Sequence, residues 1–233
     1  MNSISIIIPV LNEADLIGDL LNHLIKSSTP NNLSEIIVVD GGSTDHTKAI
    51  VSEFKNKTKI VLLDSPKGRA KQMNTGAKNA IGNILYFLHA DSFPPKNFDE
   101  LIINEIKNGN KAGCFRMQFN STHWWLRLAS WLTQFSWRAC RGGDQSQFIT
   151  KSLFNDIGGF DEAYTIYEDN ILINELYKRR QFVVINKKIK TSARLYKKVG
   201  VWKLQYHFWT IYVKRWMGAT ADEMLAYYKN NIG

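Results

Sequence analysis

The chain has 233 residues, 44% of them hydrophobic and 22% charged, and a formal net charge of +9. That length supports a substantial core in one domain, or in one domain with an appendage, and the composition excludes a disordered chain. Cys114 and Cys140 have neither the spacing of a zinc site nor the number needed for a disulfide framework, which points to a reducing compartment. Met-Asn-Ser runs directly into the apolar stretch Ile4 to Ile8 without the regions of an export signal, and no stretch reaches the ~18 apolar residues of a membrane-spanning helix. The expected location is the cytoplasm, with attachment to the inner face of the cell membrane as an extension of that expectation.

The charge is unevenly placed. Residues 1–100 hold 10 Lys and Arg against 11 Asp and Glu, whereas residues 101–233 hold 20 against 10. All seven tryptophans fall in the second part, at positions 124, 125, 131, 137, 202, 209 and 216. Basic charge with Trp fits an anionic lipid or phosphate surface, with nucleic acid competing and a solvated basic face over a Trp-rich core as the plainer reading.

In chain order, Ile4 to Ile8 is an apolar strand ending at Pro9, and Asn12 can cap a helix carrying Leu16, Leu20, Leu21 and Leu24. Ile36 to Val39 is a second strand ending at Asp40; Gly41-Gly42 turns the chain and Ser43 or Thr44 can cap a helix running toward Phe54. Ile60 to Leu63 is a third, followed by Gly68 and a helix over about residues 69 to 80. The fourth, Ile84 to Leu88, is a continuous apolar run of the kind buried on both faces, and it leads into His89-Ala90-Asp91. Repeated β-α units with short connections predict a parallel sheet covered by helices, and the GxGxxG dinucleotide fingerprint is missing from the first turn.

Further on, the pattern predicts a helix over about 97 to 107, a strand over Ala112 to Phe119, and helical spacing of Trp124, Leu128, Trp131 and Phe135. A loop follows at Cys140 to Gln145, then a strand at Gln147 to Thr150 and a helix at Lys151 to Ile157 stopped by Gly158-Gly159. Glu168-Asp169 precedes another helical stripe. Phe182 to Ile185 and Ile189 to Ser192 read as two strands around Asn186-Lys187-Lys188. Trp202, Tyr206, Trp209, Val213 and Trp216 mark one helix face, and Thr220-x-x-Glu223 is a capping box for a last helix.

Ligands of open α/β sheets bind beyond the carboxyl ends of the strands. Four such ends carry polar groups here: Asn12-Glu13, Asp40, Lys67-Gly68-Arg69 and His89-Ala90-Asp91. Acids beside Lys and Arg suit a phosphate bound through a divalent cation. Each also has a structural reading. Asp91 could open a turn, Asp40 could form an Asx-turn, and Glu13, Glu168 and Asp169 could be first-turn helix acids.

These residues also carry a resemblance. Pro9-Val10-Leu11-Asn12-Glu13, Val38-Val39-Asp40-Gly41-Gly42-Ser43-Thr44-Asp45, Asn74-Thr75-Gly76-Ala77 and His89-Ala90-Asp91 are similar to motifs of family 2 glycosyltransferases of the GT-A fold. Gly142-Gly143-Asp144-Gln145, Gly158-Gly159-Phe160-Asp161-Glu162 and Glu168-Asp169 follow in the same order as in a bacterial subgroup of small soluble members, so the match covers roughly residues 4 to 180. It implies a Rossmann-like, mostly parallel α/β sheet over residues 1–195, with a nucleotide-binding half to about 95 and an acceptor half over 96–195, and a helical extension over 196–233.

The resemblance further implies an inverting transferase that moves a sugar from a nucleoside-diphosphate donor, a UDP-sugar by preference, to a hydroxyl or carboxylate acceptor. Asp40 would bind the nucleotide base, with Pro9, Asn12 and Glu13 lining the same pocket and Arg69 approaching the diphosphate. Asp91 would ligate Mn²⁺ or Mg²⁺. His89 departs from the usual DxD aspartate and would contact ribose or the metal. Asp169 would be the catalytic base, with Glu168 orienting the base or the acceptor, and Asp144 and Gln145 would contact sugar or acceptor. Trp202, Trp209 and Trp216 with Lys203, Lys214 and Arg215 suit a helix at a membrane interface presenting a lipid-like acceptor, or equally a helix packed on the core or on a second subunit. Nucleic acid has no place in this reading. The alternatives are a nucleotidyltransferase acting on a sugar phosphate, which usually has a glycine-rich basic loop after the first strand, and a non-catalytic membrane- or partner-binding protein on the same fold.

Overall fold

Strand residues along one edge of the sequence alternate between two apolar layers. Ile4, Ile6 and Ile8 pack with Ile36, Val38, Ile84 and Tyr86 on one side, while Ile7 packs with Ile37, Val39, Leu85 and Phe87 on the other. A sheet buried on both faces results, each fully buried Ile or Leu contributing about 1.5–3 kcal/mol. In the computed structural model, which describes residues 2–54 and 59–232, the strands are β1 Ile4–Val10, β2 Leu33–Asp40, β3 Ile60–Asp64, β4 Ile84–Phe87, β5 Ser92–Phe93, β6 Ala112–Phe119, β7 Gln147–Thr150 and β8 Val183–Thr191. The helices are α1 Ala14–Ser27, α2 Thr47–Glu53, α3 Arg69–Asn79, α4 Phe98–Lys107, α5 Trp124–Leu132, α6 Lys151–Ile157, α7 Glu168–Lys178, α8 Arg194–Val199, α9 Val201–Trp216 and α10 Ala221–Asn231. Met1 and Gly233, the ends of the two expected units, lie outside the described residues.

The sheet order is β3-β2-β1-β4-β7-β6-β8-β5. Strands β3, β2, β1 and β4 are parallel, as are β6 and β8, whereas β7 is antiparallel to both neighbours and β5 is antiparallel to β8. This is the mostly parallel α/β sheet of the GT-A fold. The antiparallel β7 has a direct consequence for function. Gln147, its first residue, pairs with Phe87, the last of β4, so the loop entering β7 meets the loop leaving β4. Because β6 and β8 run in the direction of β4, their exits reach the same edge.

Three local expectations change. The helix α1 starts at Ala14, and Asn12 does not cap it; Asn12 adopts a left-handed φ of 55° and its Oδ1 accepts from Thr44 N at 2.8 Å. The amides of Glu13 and Ala14 instead donate to Thr47 Oγ1 and Asp45 Oδ2, at 2.9 and 3.1 Å. Ser43 and Thr44 precede α2 by several residues, and the Ser43 hydroxyl accepts from Asn12 N at 2.9 Å. Two neighbouring loops thus cap each other. The two expected strands around Asn186 are one strand, β8, with a bulge: Phe115 pairs Ile185 but Arg116 pairs Lys188, and Arg116 Nη1 donates to Asn186 Oδ1. Phe135 lies beyond the end of α5.

The C-terminal helices are docked on the domain. Leu204, Ile211, Met224 and Ile232 bury against one another with Tyr164, Ile166 and Tyr167, the residues leading into α7, packed beside them. The Thr220–Glu223 capping box is present. On α9 the buried face is Leu204, His207 and Ile211, and the Trp202-Tyr206-Trp209-Val213-Trp216 stripe is exposed. No helix among the described residues is long and apolar enough to cross a membrane.

Candidate active site

The carboxyl edge of the sheet gathers the residues expected from sequence. Asp40, the last residue of β2, is fully buried; its Oδ2 accepts from the amides of Gly42 and Ser43, both at 2.9 Å, and lies 3.6 Å from Lys48 Nζ. Burial acts to raise this carboxyl, yet the hydrogen bonds from Ser43 and Gly42, with Lys48, outweigh it and hold it below the usual carboxylate range. Its other oxygen is buried without a protein partner, an open valence for an N–H donor. Two buried residues of α3 set up this edge. Gln72 Nε2 donates to the carbonyls of Val10 and Val39, each at 2.8 Å, tying together the ends of β1 and β2. Gly76 packs where a Cβ would strike Ile7, so it brings the helix onto the sheet.

Asn74 joins that helix to the next motif: its Nδ2 donates to Phe160 O at 2.9 Å and its Oδ1 accepts from Phe160 N at 3.0 Å. The Gly158 to Glu162 segment is thereby fixed, and it delivers the chain to Tyr167, φ 74°, and the start of α7. Glu168 and Asp169 are both buried there. Arg69 Nη1 donates to Glu168 Oε1 at 3.0 Å and lies 3.9 Å from Asp169 Oδ2. Burial, then the adjacent Glu168 charge, push the Asp169 carboxyl up to about 7, against the pull of Arg69. Burial opposes the charge on Arg69, but Glu168, Asp169 and Asp144 more than compensate and raise it.

His89 Nε2 sits 4.0 Å from Asp169 Oδ2. Burial and the Arg69 charge press its imidazole down to about 3, so it is neutral, and the contact with Asp169 is not an ion pair. Gly143 closes this corner, because a Cβ there would collide with Asp169 Oδ2. In the same loop Asp144 is exposed to water within the cleft; desolvation by the walls and the Asp91 charge push it up to about 6, with Arg69 opposing. Gln145 faces the other way. Its Oε1 accepts from Arg141 Nη1 at 2.5 Å and Cys114 Sγ at 3.2 Å, and its Nε2 donates to Cys140 O at 2.6 Å. Of the pair, only Asp144 is presented to the cleft.

Asp91 and Glu13 meet through a residue that sequence reasoning missed. Arg194, the first of α8, donates from Nη1 and Nη2 to the two oxygens of Glu13, at 2.9 and 2.5 Å, and its Nε is 3.6 Å from Asp91 Oδ2. Burial raises the Asp91 carboxyl although Arg194 offsets it. Arg141 was also missed; fully buried, it donates to the carbonyls of Thr133 and Phe135 and to Gln145, and so shapes the loop carrying Gly143 and Asp144. Lys67 is exposed beside the turn, and Lys48 is the cation next to Asp40. Pro9 is half-buried in β1, in register with Val39.

The described residues contain no group of three or more His, Cys, Asp or Glu able to hold a metal ion unaided. Asp91 and Asp144 are nevertheless hard oxygen donors whose charges oppose each other, an arrangement that a divalent cation sharing phosphate oxygens of a ligand would relieve. The residues therefore fit such a cation. Two arginines, six acids and a neutral imidazole around one sheet edge can bind a phosphorylated ligand and accept a proton beside it.

The same fold occurs in solved glycosyltransferase structures. Staphylococcus aureus TarS 1–349 in complex with UDP superposes with a TM-score of 0.69 at 20% identity, over 82% of this chain and 60% of that one. The mannosyltransferase PcManGT from Pyrobaculum calidifontis, in complex with GDP-Man and Mn²⁺, gives 0.68 at 19% identity, over 89% and 59%. Residues 5–172 match the family model for glycosyl transferase family 2, and the chain belongs to that family. Among curated relatives, glycosyltransferase AglE of Haloferax volcanii is 36% identical over 106 residues, 44% of this chain and 35% of AglE. The chain thus spans about a third of that relative's length.

Proposed function

We propose that this chain is an inverting glycosyltransferase that moves a sugar from a nucleoside-diphosphate sugar to a hydroxyl or carboxylate acceptor. The observation that carries the reading is Asp169: a buried carboxylate with its pKa pushed to about 7, held at the cleft by Arg69 and Gly143. A general base works best with a pKa near the operating pH. In the reaction, Asp169 takes the proton of the acceptor O–H as that oxygen attacks the anomeric carbon. The bond from that carbon to the diphosphate breaks, and its electron pair leaves with the diphosphate. Glu168, hydrogen-bonded to Arg69, fixes the guanidinium that faces the base.

Asp40 receives the nucleotide base through its unpartnered oxygen, with Pro9, Asn12 and Glu13 forming the wall of that pocket. A divalent cation, Mn²⁺ or Mg²⁺, held by Asp91 with Asp144 beside it, supplies positive charge for the leaving diphosphate when bound. His89, neutral, offers a nitrogen to ribose or to that cation. Asp144 contacts sugar or acceptor, and Gln145 supports it from below. UDP is the first donor base to try, because TarS was captured with UDP, and GDP the second, because PcManGT was captured with GDP-Man.

A lipid-like acceptor at the inner membrane face is the second element of the proposal. Trp124, Trp202 and Trp209 are each at least half exposed, and Trp125 is in ring contact with all three, at 5.8, 5.4 and 6.0 Å. From the same helix Tyr212 donates to Asn170, the neighbour of Asp169, which links that aromatic face to the site. The test of the donor reading is a thermal-shift screen of nucleoside diphosphates and their sugars with and without Mn²⁺. A metal-dependent rise for one base class is expected; no shift with any nucleotide would overturn it.

A further inference from the structure

The two arginines of the cleft are held differently. Arg69 leans on Glu168 and Asp169, while Arg194 reaches the opposite wall and grips Glu13 with both terminal nitrogens. A two-pronged grip of this kind fixes the plane of the guanidinium. What remains is its Nε edge, 3.6 Å from Asp91 Oδ2. Arg194 is about half exposed and Asp91 largely covered, so the open side of this pair is the arginine's. The topology explains why it is there: β8 exits at the same edge as β4, and α8 begins three residues later.

We propose that Arg194 couples cation binding to diphosphate binding. With Asp91 bare, the Nε edge is spent on that carboxylate. Once a divalent cation takes over Asp91, the guanidinium, still anchored by Glu13, presents its charge to the diphosphate. One positive charge cannot serve both anions, so Arg194 strengthens donor binding only in the cation-loaded state. The inference rests on the nucleoside-diphosphate reading above.

Calorimetric titration with UDP tests it, in saturating Mn²⁺ and again in EDTA. A charge-assisted contact at a half-exposed site predicts that Arg194→Gln weakens UDP binding about tenfold with Mn²⁺ and by less than about twofold in EDTA. Arg194→Lys, which keeps the charge but gives up the two-pronged grip on Glu13, should show a smaller loss confined to the Mn²⁺ arm, and it serves if Arg194→Gln lowers the melting temperature of the unliganded protein. An equal loss in both arms makes Arg194 an ordinary phosphate ligand and overturns the coupling alone, as does no loss in either. Wild-type protein that binds neither UDP nor GDP in any condition overturns the donor reading and the coupling together.

Discussion

Replacing Asp169 with asparagine removes a charge while keeping the size of the side chain, and it separates a catalytic acid from a structural one. The carboxyl is raised from 3.8 to about 7, burial being the main cause and the Glu168 charge the second. For an acid raised on folding, the cost is absent below about pH 4, grows as the pH climbs, and is complete above about 7. The gap corresponds to on the order of 4 kcal/mol against folding at pH 8. A first-turn acid gains only about 0.3–1 kcal/mol from the helix dipole, so the burial cost wins. Asp169→Asn should therefore raise the melting temperature by several degrees at pH 8 and by nothing at pH 4, measured by calorimetry. The same variant should lose about 10²–10⁴-fold in sugar transfer, the usual contribution of a general base. Wild-type turnover should rise with pH through about 7 as Asp169 deprotonates. A variant that is less stable at pH 8, or that transfers sugar at the wild-type rate, refutes the assignment.

Two further outcomes follow from the geometry. Gly143→Ala places a methyl against Asp169 Oδ2 and near His89, so turnover should fall at least about tenfold in a steady-state assay while the far-ultraviolet circular dichroism is unchanged; full activity would mean that the base does not rest where it is drawn. Replacing Trp202, Trp209 and Trp216 together should abolish flotation with acidic liposomes, and either absent binding by the wild type or unchanged binding by the triple variant would remove the lipid-facing role.

The strands were legible because burial on both faces demands continuous apolar runs, and Ile4 to Ile8, Ile36 to Val39 and Ile84 to Leu88 have no other use. β8 was split in two because Asn186-Lys187-Lys188 is polar, and a bulge paired to Arg116 leaves no apolar trace. The caps of α1 and α2 failed for a related reason: Asn12, Ser43, Asp45 and Thr47 serve one another's loops across about thirty residues, where local cap rules do not reach. Motif order brought Asp40, Arg69, His89, Asp91, Asp144 and Asp169 to one edge, as expected. Arg194 was hidden because its partners are set by sheet topology, 181 residues from Glu13. A basic residue just past the last strand of the sheet was the one available signal. Gln145, adjacent to Asp144 in sequence, turned inward because a buried guanidinium, Arg141, needed its oxygen.

The central claim is that Asp40 and Asp91 together make a cation-dependent site for a nucleoside diphosphate, and titration calorimetry of the wild type, Asp40→Asn and Asp91→Asn with the preferred nucleoside diphosphate tests it most directly. Wild-type binding should tighten on addition of Mn²⁺. Asp91→Asn should lose that tightening while its metal-free affinity stays at or above the wild-type value, because Arg194 is released from the carboxylate, and Asp40→Asn should lose about 10–100-fold in both conditions, the range for a hydrogen bond to a charged group. Binding by Asp91→Asn that still tightens with Mn²⁺, or undiminished binding by Asp40→Asn, would contradict the account.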